Sequence, residues 1–432
     1  MLLSEKKHYY NGIDWVAAAL NYQCRLTPAR GNNFLIVLDL GAHPFSSAKK
    51  TRLLDACNAI LPLLNGSIRR AWHLAPYWQT GNGSGVPFSE NSPADDAGAD
   101  SVLYKFMNEP LPEDTGLEIK LISFNGSGRL IFKFSHLLFD GRGAELFLRA
   151  IDGGHSDLMA MHPGLPHPEL NNWTEQFKAG KIVHRKRLAI LEKHKIAALP
   201  SGQLTAMPAR FRVIQLDPAA SAGLQKKSER EAGPFMLGIY LASIVCHCFD
   251  HFLDARGING DIMLPMSVDL RGFGVPANTV FFNQWSFSPL IAERDEHREL
   301  AGWIGKLKKQ MMSNAADKIP QSLRTASLLS RILPLPIMSL FSKNIFGQTA
   351  GSIMFSFVSG SSLAPSFIET PLRNMYHLPL MPPHPGIGVF FNSFEDRINA
   401  VISYREGILS EDEIDEFTQS IEKCLRKCHP QG

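Results

Sequence analysis

The chain has 432 residues, of which 44% are hydrophobic and 20% are charged, and its formal net charge is +3. This composition is typical of a globular protein large enough for two domains, and it excludes an intrinsically disordered chain. Because the net charge is small for this length, we expect no nucleic-acid partner.

The sequence contains no recognisable targeting or membrane-spanning segment. Charged residues follow Leu2 and Leu3 closely, so the apolar core of a signal peptide is missing. No uninterrupted apolar run reaches the length of a membrane span. The 6 cysteines are scattered along the chain, which does not predict a disulfide framework. We therefore expect a cytoplasmic protein.

The first hundred residues predict a mixture of helices and strands. Residues 14–22 and 48–64 have helical spacing, and residues 34–40 form a continuous apolar run typical of a buried strand. Residues 80–101 are rich in Gly, Ser, Pro and Asp, which predicts a surface loop.

A β-hairpin and a helix are predicted next. Residues 117–124 and 129–135 flank the pair Asn125-Gly126, and Asn-Gly supplies the positive φ angles that tight hairpin turns need. Residues 143–151 then have the spacing of a helix.

Residues 152–210 combine several prolines with a basic run, which we interpret as a connection between two halves. Ser410 and Glu413 match a capping box at the start of the last helix. The predicted elements of the second half are helices at 234–252, 293–314 and 410–427 and strands at 261–270, 279–290, 352–359 and 386–404.

Helices and strands follow one another irregularly, and no sequence repeat relates the two halves. This mixture favours a two-lobed α+β or α/β protein with a cleft between the lobes. We predict a first lobe at residues 1–155, a connecting segment at 156–210 and a second lobe at 211–432.

The stretch KFSHLLFDGRG, residues 133–143, contains the first candidate for a functional site. An apolar strand delivers His136, and Asp140 and Gly141 follow in a turn where glycine avoids a Cβ clash. Histidine accepts a proton near neutral pH, and the junction of a strand and a loop holds a side chain in a defined direction. A core histidine beside an ordinary turn is the alternative interpretation, and the spacing alone does not exclude it.

Three later segments occur together with HLLFDG, in a fixed order: SVDLRG followed by NTVFFN, then FSFVSG, then PGIGVFFNSFEDRINAVISY. The set resembles the chloramphenicol-acetyltransferase-like superfamily. That superfamily includes the condensation domains of non-ribosomal peptide synthetases, plant-type acyltransferases, wax-ester and alcohol acyltransferases, and polyketide-associated acyltransferases. The resemblance covers most of the chain.

The resemblance implies two similar lobes with a channel between them and the histidine reachable from both mouths. The donor would be an acyl thioester of coenzyme A or of a phosphopantetheinyl carrier protein, and the acceptor an alcohol or an amine. His136 would take a proton from the acceptor, without a covalent acyl-enzyme. No cofactor would be bound permanently, and no metal is expected.

The resemblance also implies roles for neighbouring residues. Asp140 would face away from the substrate and form a bidentate ion pair with Arg271, holding the loop of the histidine. The alternative for Arg271 is an exposed position in a turn.

Donors for an oxyanion are expected near the histidine as well. The candidates are backbone N–H groups near Gly141 and the hydroxyls of Ser356 and Ser359. Asn283 is a further candidate, pointing into the channel. The serines also have the simpler interpretation of ordinary strand residues.

Some residues depart from the family patterns. Ser135 precedes His136 where condensation domains often carry a second histidine, which favours hydroxyl acceptors over peptide synthesis. The Asp-Phe-Gly-Trp-Gly motif of plant-type enzymes is absent, and Phe357 stands where the wax-ester branch usually has Asn. A non-catalytic module that recruits a carrier protein or a partner enzyme, and an amide-forming condensation enzyme, remain alternatives.

Three further features have two interpretations each. Cys246-His247-Cys248 and Cys424 with Cys428-His429 suggest zinc, which we reject because a CxC pair on a helix points its thiols to different sides. The apolar residues 321–346 predict either a membrane-surface segment or, as we favour, packing inside the second lobe along the channel.

The basic run 181–187, with Lys193 and Lys195, has two interpretations as well. It would dock an acidic carrier protein or the phosphates of coenzyme A, or it is a solvated helix face.

Overall fold

In the computed structural model, which describes residues 7–72, 74–83, 85–154, 172–200, 206–294, 298–345 and 349–427, the chain folds around two large β-sheets. The predicted mixed α/β fold with two lobes is confirmed. The described strands are β1 (Lys7–Tyr9), β2 (Asn33–Gly41), β3 (Gly66–Arg70), β4 (Pro76–Thr80), β5 (Phe88–Asn91), β6 (Leu117–Phe124), β7 (Ser127–Ser135), β8 (Ala209–Gln215), β9 (Ile262–Asp269), β10 (Trp285–Ala292), β11 (Met354–Val358), β12 (Ser366–Phe367), β13 (Thr370–Pro371), β14 (Asn374–Pro379), β15 (Ile387–Phe394) and β16 (Arg397–Arg405). The described α-helices are α1 (Gly12–Gln23), α2 (Ser47–Asn58), α3 (Leu61–Leu64), α4 (Asp96–Asn108), α5 (Gly141–Gly153), α6 (Trp173–Lys193), α7 (Pro218–Glu231), α8 (Leu237–Ala255), α9 (Leu300–Ala316), α10 (Ile319–Ser327), α11 (Leu335–Lys343) and α12 (Glu411–Arg426).

The first lobe is built on a five-stranded sheet with the order β14-β2-β7-β6-β5. Alternate residues of β2 enter two different cores: Phe34, Ile36 and Leu38 face one, and Leu35 and Val37 face the other. Side chains of a strand alternate between the faces of its sheet. Because both faces are covered, the strand is apolar along its length, which explains the continuous run in the sequence.

The hairpin β6–β7 has the turn that the sequence predicted. Asn125 and Gly126 both have positive φ angles, of 46° and 73°, as tight hairpin turns require. β7 ends at Ser135, which pairs with Asn33 of β2. The end of a central strand therefore places His136.

The second lobe contains a six-stranded sheet with the order β10-β9-β11-β15-β16-β8. β11 lies between β9 and β15 and runs parallel to both. The helices α7, α8, α9 and α12 cover this sheet and form one apolar core with it. β11 then leads to Ser359 and Gly360 at the cavity described below.

The two halves of the chain exchange segments. β14 belongs to the second half, but it pairs antiparallel with β2 at the edge of the first sheet. Phe282 also crosses to the first lobe, where its N–H donates to the carbonyl of Leu138 at 2.7 Å. The lobe boundaries at residues 155 and 210 stay a prediction, and residues 211–432 are not confined to one lobe.

Two predicted irregular segments contain regular structure. Residues 80–101, predicted as a surface loop, include β5 and the start of α4. The polar β5 is an edge strand held by its pairing with β6. Its side chains therefore lack the apolar pattern by which a strand is predicted from sequence. Residues 152–210, predicted as a connection, include the 21 residues of α6.

We expected residues 321–346 to pack inside the second lobe along the channel. None of residues 321–345 lines the cavity, and of their elements α10 packs on the sheet of the second lobe, at β10. The segment forms α10, a 3₁₀ turn at Leu328–Ile332 and α11. α10 packs on α6, β10 and α1, whereas the 3₁₀ turn and α11 pack on α1 of the first lobe. The indole Nε1–H of Trp15 donates to the carbonyl of Leu333 at 3.1 Å, and Gln23 Nε2 donates to Ser342 Oγ at 2.8 Å. These polar contacts hold the segment outside the channel.

The cysteines in the described part of the chain do not border the cavity. Cys246 and Cys248 are buried in α8, and the Sγ atoms of Cys248 and Cys424 are 3.8 Å apart. Cys428 and His429 lie outside the described residues. Among the described residues, no group of three or more His, Cys, Asp or Glu is arranged to hold a metal ion.

The helices of the described ranges are too short or too polar to cross a membrane. The cytoplasmic location stays a prediction.

The capping box of α12 predicts a pH dependence of stability. Glu413 N–H donates to Ser410 Oγ at 3.3 Å, and Ser410 N–H donates to Glu413 Oε2 at 2.8 Å. Arg256 donates to both oxygens of the same carboxylate, which lowers the pKa of Glu413 to about 2. A lowered pKa contributes stability that is present above the ordinary pKa of 4.5 and lost as the pH falls toward 2.

We expect Glu413→Gln to unfold at lower urea than wild type at pH 6, and the difference to shrink toward pH 3. The exposed Glu416 on the same helix provides the control variant Glu416→Gln. If Glu413→Gln and Glu416→Gln have the same pH dependence, the ion pair with Arg256 does not stabilise the helix.

Candidate active site

His136 follows β7 directly, and its backbone is held on both sides. Its N–H donates to the carbonyl of Asn32 at 3.2 Å, and its carbonyl accepts from Nδ2 of Asn283 at 2.9 Å. The ring lies against Phe34, with 4.7 Å between the centroids. The imidazole is therefore fixed from the backbone and from one ring face.

The surroundings keep the imidazole of His136 neutral. Burial lowers the pKa of His136 below its usual value, against the raising influence of the Asp140 charge. The ring atom Nδ1 is buried, and the backbone of Phe139 also raises the pKa of the ring against the larger effect of burial. This leaves Nε2 as the nitrogen available to a molecule in the adjoining cavity. A neutral imidazole can accept a proton.

Asp140 is the N-cap of α5, and both of its carboxylate oxygens accept hydrogen bonds from protein donors, so it is not placed to act as a base. Its Oδ1 accepts from Gly143 N–H at 2.6 Å, and its Oδ2 accepts from Gln284 N–H at 2.7 Å. Both oxygens also accept from Nη2 of Arg271, at 2.9 and 3.1 Å. The carboxylate joins a helix of the first lobe to two segments of the second half.

Arg271 is buried, which contradicts the alternative of an exposed turn residue. Its side chain is 4% exposed. The expected fork of two nitrogens on one carboxylate is absent: Nη2 alone contacts Asp140. Nη1 donates to Asp269 Oδ1 at 3.0 Å, and Nε donates to the carbonyl of Thr279 at 2.7 Å. The guanidinium thus bridges three partners, because the loop 269–279 wraps around it.

Glycine is needed at two positions here because of space. Gly141 does not have a positive φ angle, so the reason for glycine here is the room that a Cβ would take and not the backbone conformation. A Cβ at Gly141 would lie 3.3 Å from Nδ1 of His377. A Cβ at Gly143 would lie 2.2 Å from the carbonyl oxygen of Val280, which a side chain cannot tolerate. Both glycines let segments of the second half approach α5.

Asn283 does not point into the cavity, and its predicted place in the channel was wrong. Its side chain is buried and engaged by three groups. Nδ2 donates to Asp14 Oδ1 at 3.0 Å and to the His136 carbonyl, and Oδ1 accepts from the Trp285 indole N–H at 3.0 Å. The amide has no free donor for an oxyanion, and it positions the backbone of His136 instead.

Asp14 supports Asn283 from α1. It accepts from the backbone N–H of Asn283 at 2.7 Å, and its Oδ2 accepts from Asn11 N–H in the capping box of α1. Burial raises the pKa of Asp14 to about 7, although these hydrogen bonds oppose the shift. The capping box is readable from the sequence, but its contact with Asn283 is not.

A cavity of about 380 Å³ opens beside His136. Gly141, Ser356 and Ser359 border it, as do Asp140 and Arg271 at its edge. The other wall residues are mostly aromatic and aliphatic: Leu20, Phe34, Trp285, Phe287, Met354, Phe357, Val358, Pro379, Leu380, Met381, Pro382, Phe390 and Phe391. Polar and charged side chains complete the wall: Asn32, Arg142, Ser267, Asp269 and His377.

A second cavity, of about 320 Å³, borders Ser135 and Leu137 on either side of His136 in the sequence. Of these two cavities, His136 borders the first. Access to the histidine from both mouths therefore stays a prediction.

His377 and Glu145 form a pair at the cavity wall that sequence reasoning missed. His377 Nε2 lies 2.9 Å from Oε1 of Glu145, whose side chain is fully buried. The only sequence signal was a charged residue on the apolar face of a helix. Nothing near His377 in the sequence pointed to it, because β14 reaches the first sheet from the other half.

No protein-family model and no curated protein matches the sequence. Solved structures do match the fold. One is TRI3 trichothecene 15-O-acetyltransferase from Fusarium sporotrichioides, with a TM-score of 0.71 and 13% identity over 98% of this chain and 95% of that chain. Another is the first condensation domain of the calcium-dependent antibiotic synthetase, with a TM-score of 0.70 and 13% identity over 98% of this chain and 96% of that chain.

The epimerization domain from the third module of tyrocidine synthetase B is similar as well, with a TM-score of 0.63 and 12% identity over 98% of this chain and 97% of that chain. At such identities the likeness shows the fold alone. The chain has the two-lobed fold of condensation domains and of the acetyltransferase, so the resemblance to the chloramphenicol-acetyltransferase-like superfamily is confirmed at the level of the fold.

The ion pair at the N-terminus of α5 predicts an asymmetric response to mutation. In Asp140→Asn, an amide NH₂ would face the donors of Arg271 or Gln284, and the buried guanidinium would keep only its more exposed carboxylate partner, Asp269. We expect a loss of about 3 kcal/mol of unfolding free energy, measured by urea denaturation.

Asp269→Asn is the matched control, because Asp269 contacts the same guanidinium but is 41% exposed. We expect a loss of about 1 kcal/mol or less there. Equal losses in the two variants would contradict a special role for Asp140.

Proposed function

We propose that the protein transfers an acyl group from a thioester to an alcohol or amine acceptor in the cavity beside His136. The observation that carries the proposal is a neutral histidine, fixed through its backbone, with Nε2 open to a largely apolar cavity. The donor is an acyl thioester of coenzyme A or of a phosphopantetheinyl carrier protein. The fold shared with an acetyltransferase and with condensation domains supports this class of reaction.

His136 acts as the general base. Its Nε2 takes the proton from the acceptor O–H or N–H while that atom attacks the thioester carbonyl. The tetrahedral intermediate then collapses and expels the thiolate, which takes the proton back from the imidazolium. The new ester or amide and a free thiol are the products, and His136 returns to its neutral form.

Stabilisation of the oxyanion falls to groups at the N-terminus of α5 and the end of β11. Gly141 is the first residue of α5, where backbone N–H groups have no partner within the helix and the helix dipole favours negative charge. Ser356 and Ser359 add hydroxyl donors at the same cavity. Asn283 has no part in this step.

The aromatic walls suit an apolar acyl chain, since Phe34, Trp285 and Phe390 offer no charge to it. Burial of each methylene contributes about 0.8 kcal/mol. The exposed basic residues of α6, such as Lys181 and Arg185, remain a candidate contact for an acidic carrier protein. Two cations of this set already have partners: Arg187 contacts the Ile345 carbonyl, and Lys193 pairs with Glu293.

His136→Ala is expected to lower acceptor-dependent thiol release by about 10²–10⁴-fold, the usual contribution of a general base. The assay offers wild type a panel of acyl-coenzyme A thioesters with pooled alcohols and amines. His184→Ala, an exposed histidine of α6, is the control. Because the pKa of His136 is lowered, the acid limb of the pH–rate profile should fall below pH 6.5.

Each outcome separates the alternatives. Unchanged release by His136→Ala would contradict the general-base role. Release only with amines would identify an amide-forming condensation enzyme. No release from coenzyme A thioesters, and none from a phosphopantetheinylated carrier protein, would leave the non-catalytic binding module.

A further inference from the structure

The orientation of His377 is set by a buried carboxylate. Glu145 Oε2 accepts from Nη1 of Arg142 at 2.8 Å and from the N–H of Ser362 at 3.0 Å. Its other oxygen, Oε1, is the one 2.9 Å from His377 Nε2. One oxygen of the carboxylate thus contacts an arginine, and the other contacts a histidine.

This arrangement determines which nitrogen of His377 carries the proton. An ionised carboxylate only accepts hydrogen bonds, so the contact requires a proton on Nε2. In a neutral imidazole the other nitrogen, Nδ1, then carries a lone pair.

The lone pair of Nδ1 points toward the cavity at Gly141. His377 and Gly141 both border the cavity, and a Cβ at position 141 would lie 3.3 Å from Nδ1. Across the described residues, Nδ1 has no protein donor within hydrogen-bonding distance. The absence of a side chain at Gly141 keeps this nitrogen accessible.

We propose that His377 Nδ1 is a substrate subsite that accepts a hydrogen bond from an O–H or N–H group of one of the two substrates. The inference rests on the proposed acyl transfer and names a specificity residue for it. The donor group is either a second polar group of the acceptor or an amide N–H of the phosphopantetheine arm. Glu145 is a positioning residue, since it acts through the tautomer of His377.

His377→Phe tests the subsite by keeping a flat ring and removing the acceptor nitrogen. We expect the KM of the substrate that carries the N–H or O–H group to rise about 10-fold, the loss of one hydrogen bond, with kcat changed less than 3-fold. In the first kinetic experiment the acceptor concentration is varied at saturating acyl-coenzyme A. In the second, the KM of acyl-coenzyme A is compared with that of a simple alkyl thioester that lacks the pantetheine amides.

The kinetic result identifies the source of the hydrogen bond. A rise in KM for the acceptor assigns the subsite to the acceptor, and a rise only for the coenzyme A thioester assigns it to the pantetheine amide. Unchanged KM values in both arms would overturn the inference.

A second measurement does not depend on turnover. ¹⁵N NMR of the His377 ring should report the Nε2–H tautomer in wild type. In Glu145→Gln the amide NH₂ donates to Nε2, and the proton should move to Nδ1. An Nδ1–H tautomer in wild type would overturn the inference.

Failure of acyl transfer itself is separated from failure of the subsite. If wild type transfers nothing, acetyl-coenzyme A and the pooled acceptors are added to His136→Ala, and the Nδ1 resonance is followed. The same spectra of a variant that also carries His377→Phe assign the resonance. A shift that is present with His377 and absent in that variant supports the subsite. No shift with either probe would overturn it.

A different observation concerns the outer surface of the first lobe. Six large apolar side chains are each at least 45% exposed: Trp72, Leu74, Ile332, Ile337, Leu340 and Phe341. Arg70 ties their segments together, since its Nη1 donates to the carbonyls of Leu74 at 3.0 Å and Ile332 at 3.2 Å. α11 follows this junction and is anchored on α1 through Gln23. We call these six residues the apolar surface.

The segments that carry the apolar surface have charges of one sign. Residues 66–83 and 318–345 contain no Asp or Glu, and neither do residues 15–33 at the end of α1. Arg25 and Arg69 are exposed, and Arg70 and Lys343 are partly exposed. Apolar and aromatic side chains with cations and no acidic residues are the pattern of a contact with anionic lipid.

We infer that the apolar surface docks on an anionic lipid bilayer. Large unilamellar vesicles of phosphatidylcholine, with or without 30% phosphatidylglycerol, test this by co-sedimentation of the full chain. We expect the protein to bind the anionic vesicles at least 10-fold more tightly than the neutral ones. Binding to the anionic vesicles should weaken as salt is raised, because salt screens exposed charges.

The variant Leu340→Glu with Phe341→Glu should reduce binding at least 10-fold. Phe273→Glu, which changes an exposed apolar residue elsewhere, is the matched control and should bind like wild type. Equal binding to neutral vesicles, or unchanged binding by the double variant, would overturn the inference. A concentration-dependent dimer that the double variant abolishes, without vesicle binding, would identify a protein interface instead.

Discussion

The carboxylate of Asp140 is the group on which the arrangement of the site depends. It caps α5, contacts Arg271, and accepts the backbone N–H of Gln284. Each of these partners comes from a different segment, and two of them belong to the second half of the chain. A buried carboxylate without such donors would be strongly destabilising. These contacts fix how the two lobes are placed relative to each other at Asp140, and His136 lies beside this carboxylate.

A second chain of hydrogen bonds fixes the base itself. Asp14 at the start of α1 holds Asn283, and Asn283 holds the carbonyl of His136. The histidine thus depends on a helix near the N-terminus and on a loop about 270 residues later. Neither Asp14 nor Asn283 borders the cavity, so the contribution of these two residues is to position the imidazole.

Two imidazoles border the cavity, and they differ in which ring nitrogen is available to a bound molecule. His136 has a buried Nδ1 and an accessible Nε2, and its pKa is lowered by burial. His377 has Nε2 occupied by Glu145 and Nδ1 turned to the cavity. Under the proposed function, the first moves a proton and the second selects a substrate. Two histidines in one cavity take different roles because one has a carboxylate partner and the other does not.

Local patterns in the sequence determined the hairpin β6–β7, the helix α5, the capped helix α12, the buried strand β2, and the position of His136 at the end of β7. These depend on the period of apolar residues and on turn and cap chemistry between near neighbours, which a sequence displays directly. The pairing partner of Asp140 also followed, through a resemblance in ordered motifs. Only the tertiary structure decided that Asn283 faces Asp14, that residues 328–343 lie on α1, that Gly141 makes room for His377, and that β14 crosses to the first sheet. These contacts join residues far apart in the chain, and their formation depends on how two lobes pack, which no local pattern records.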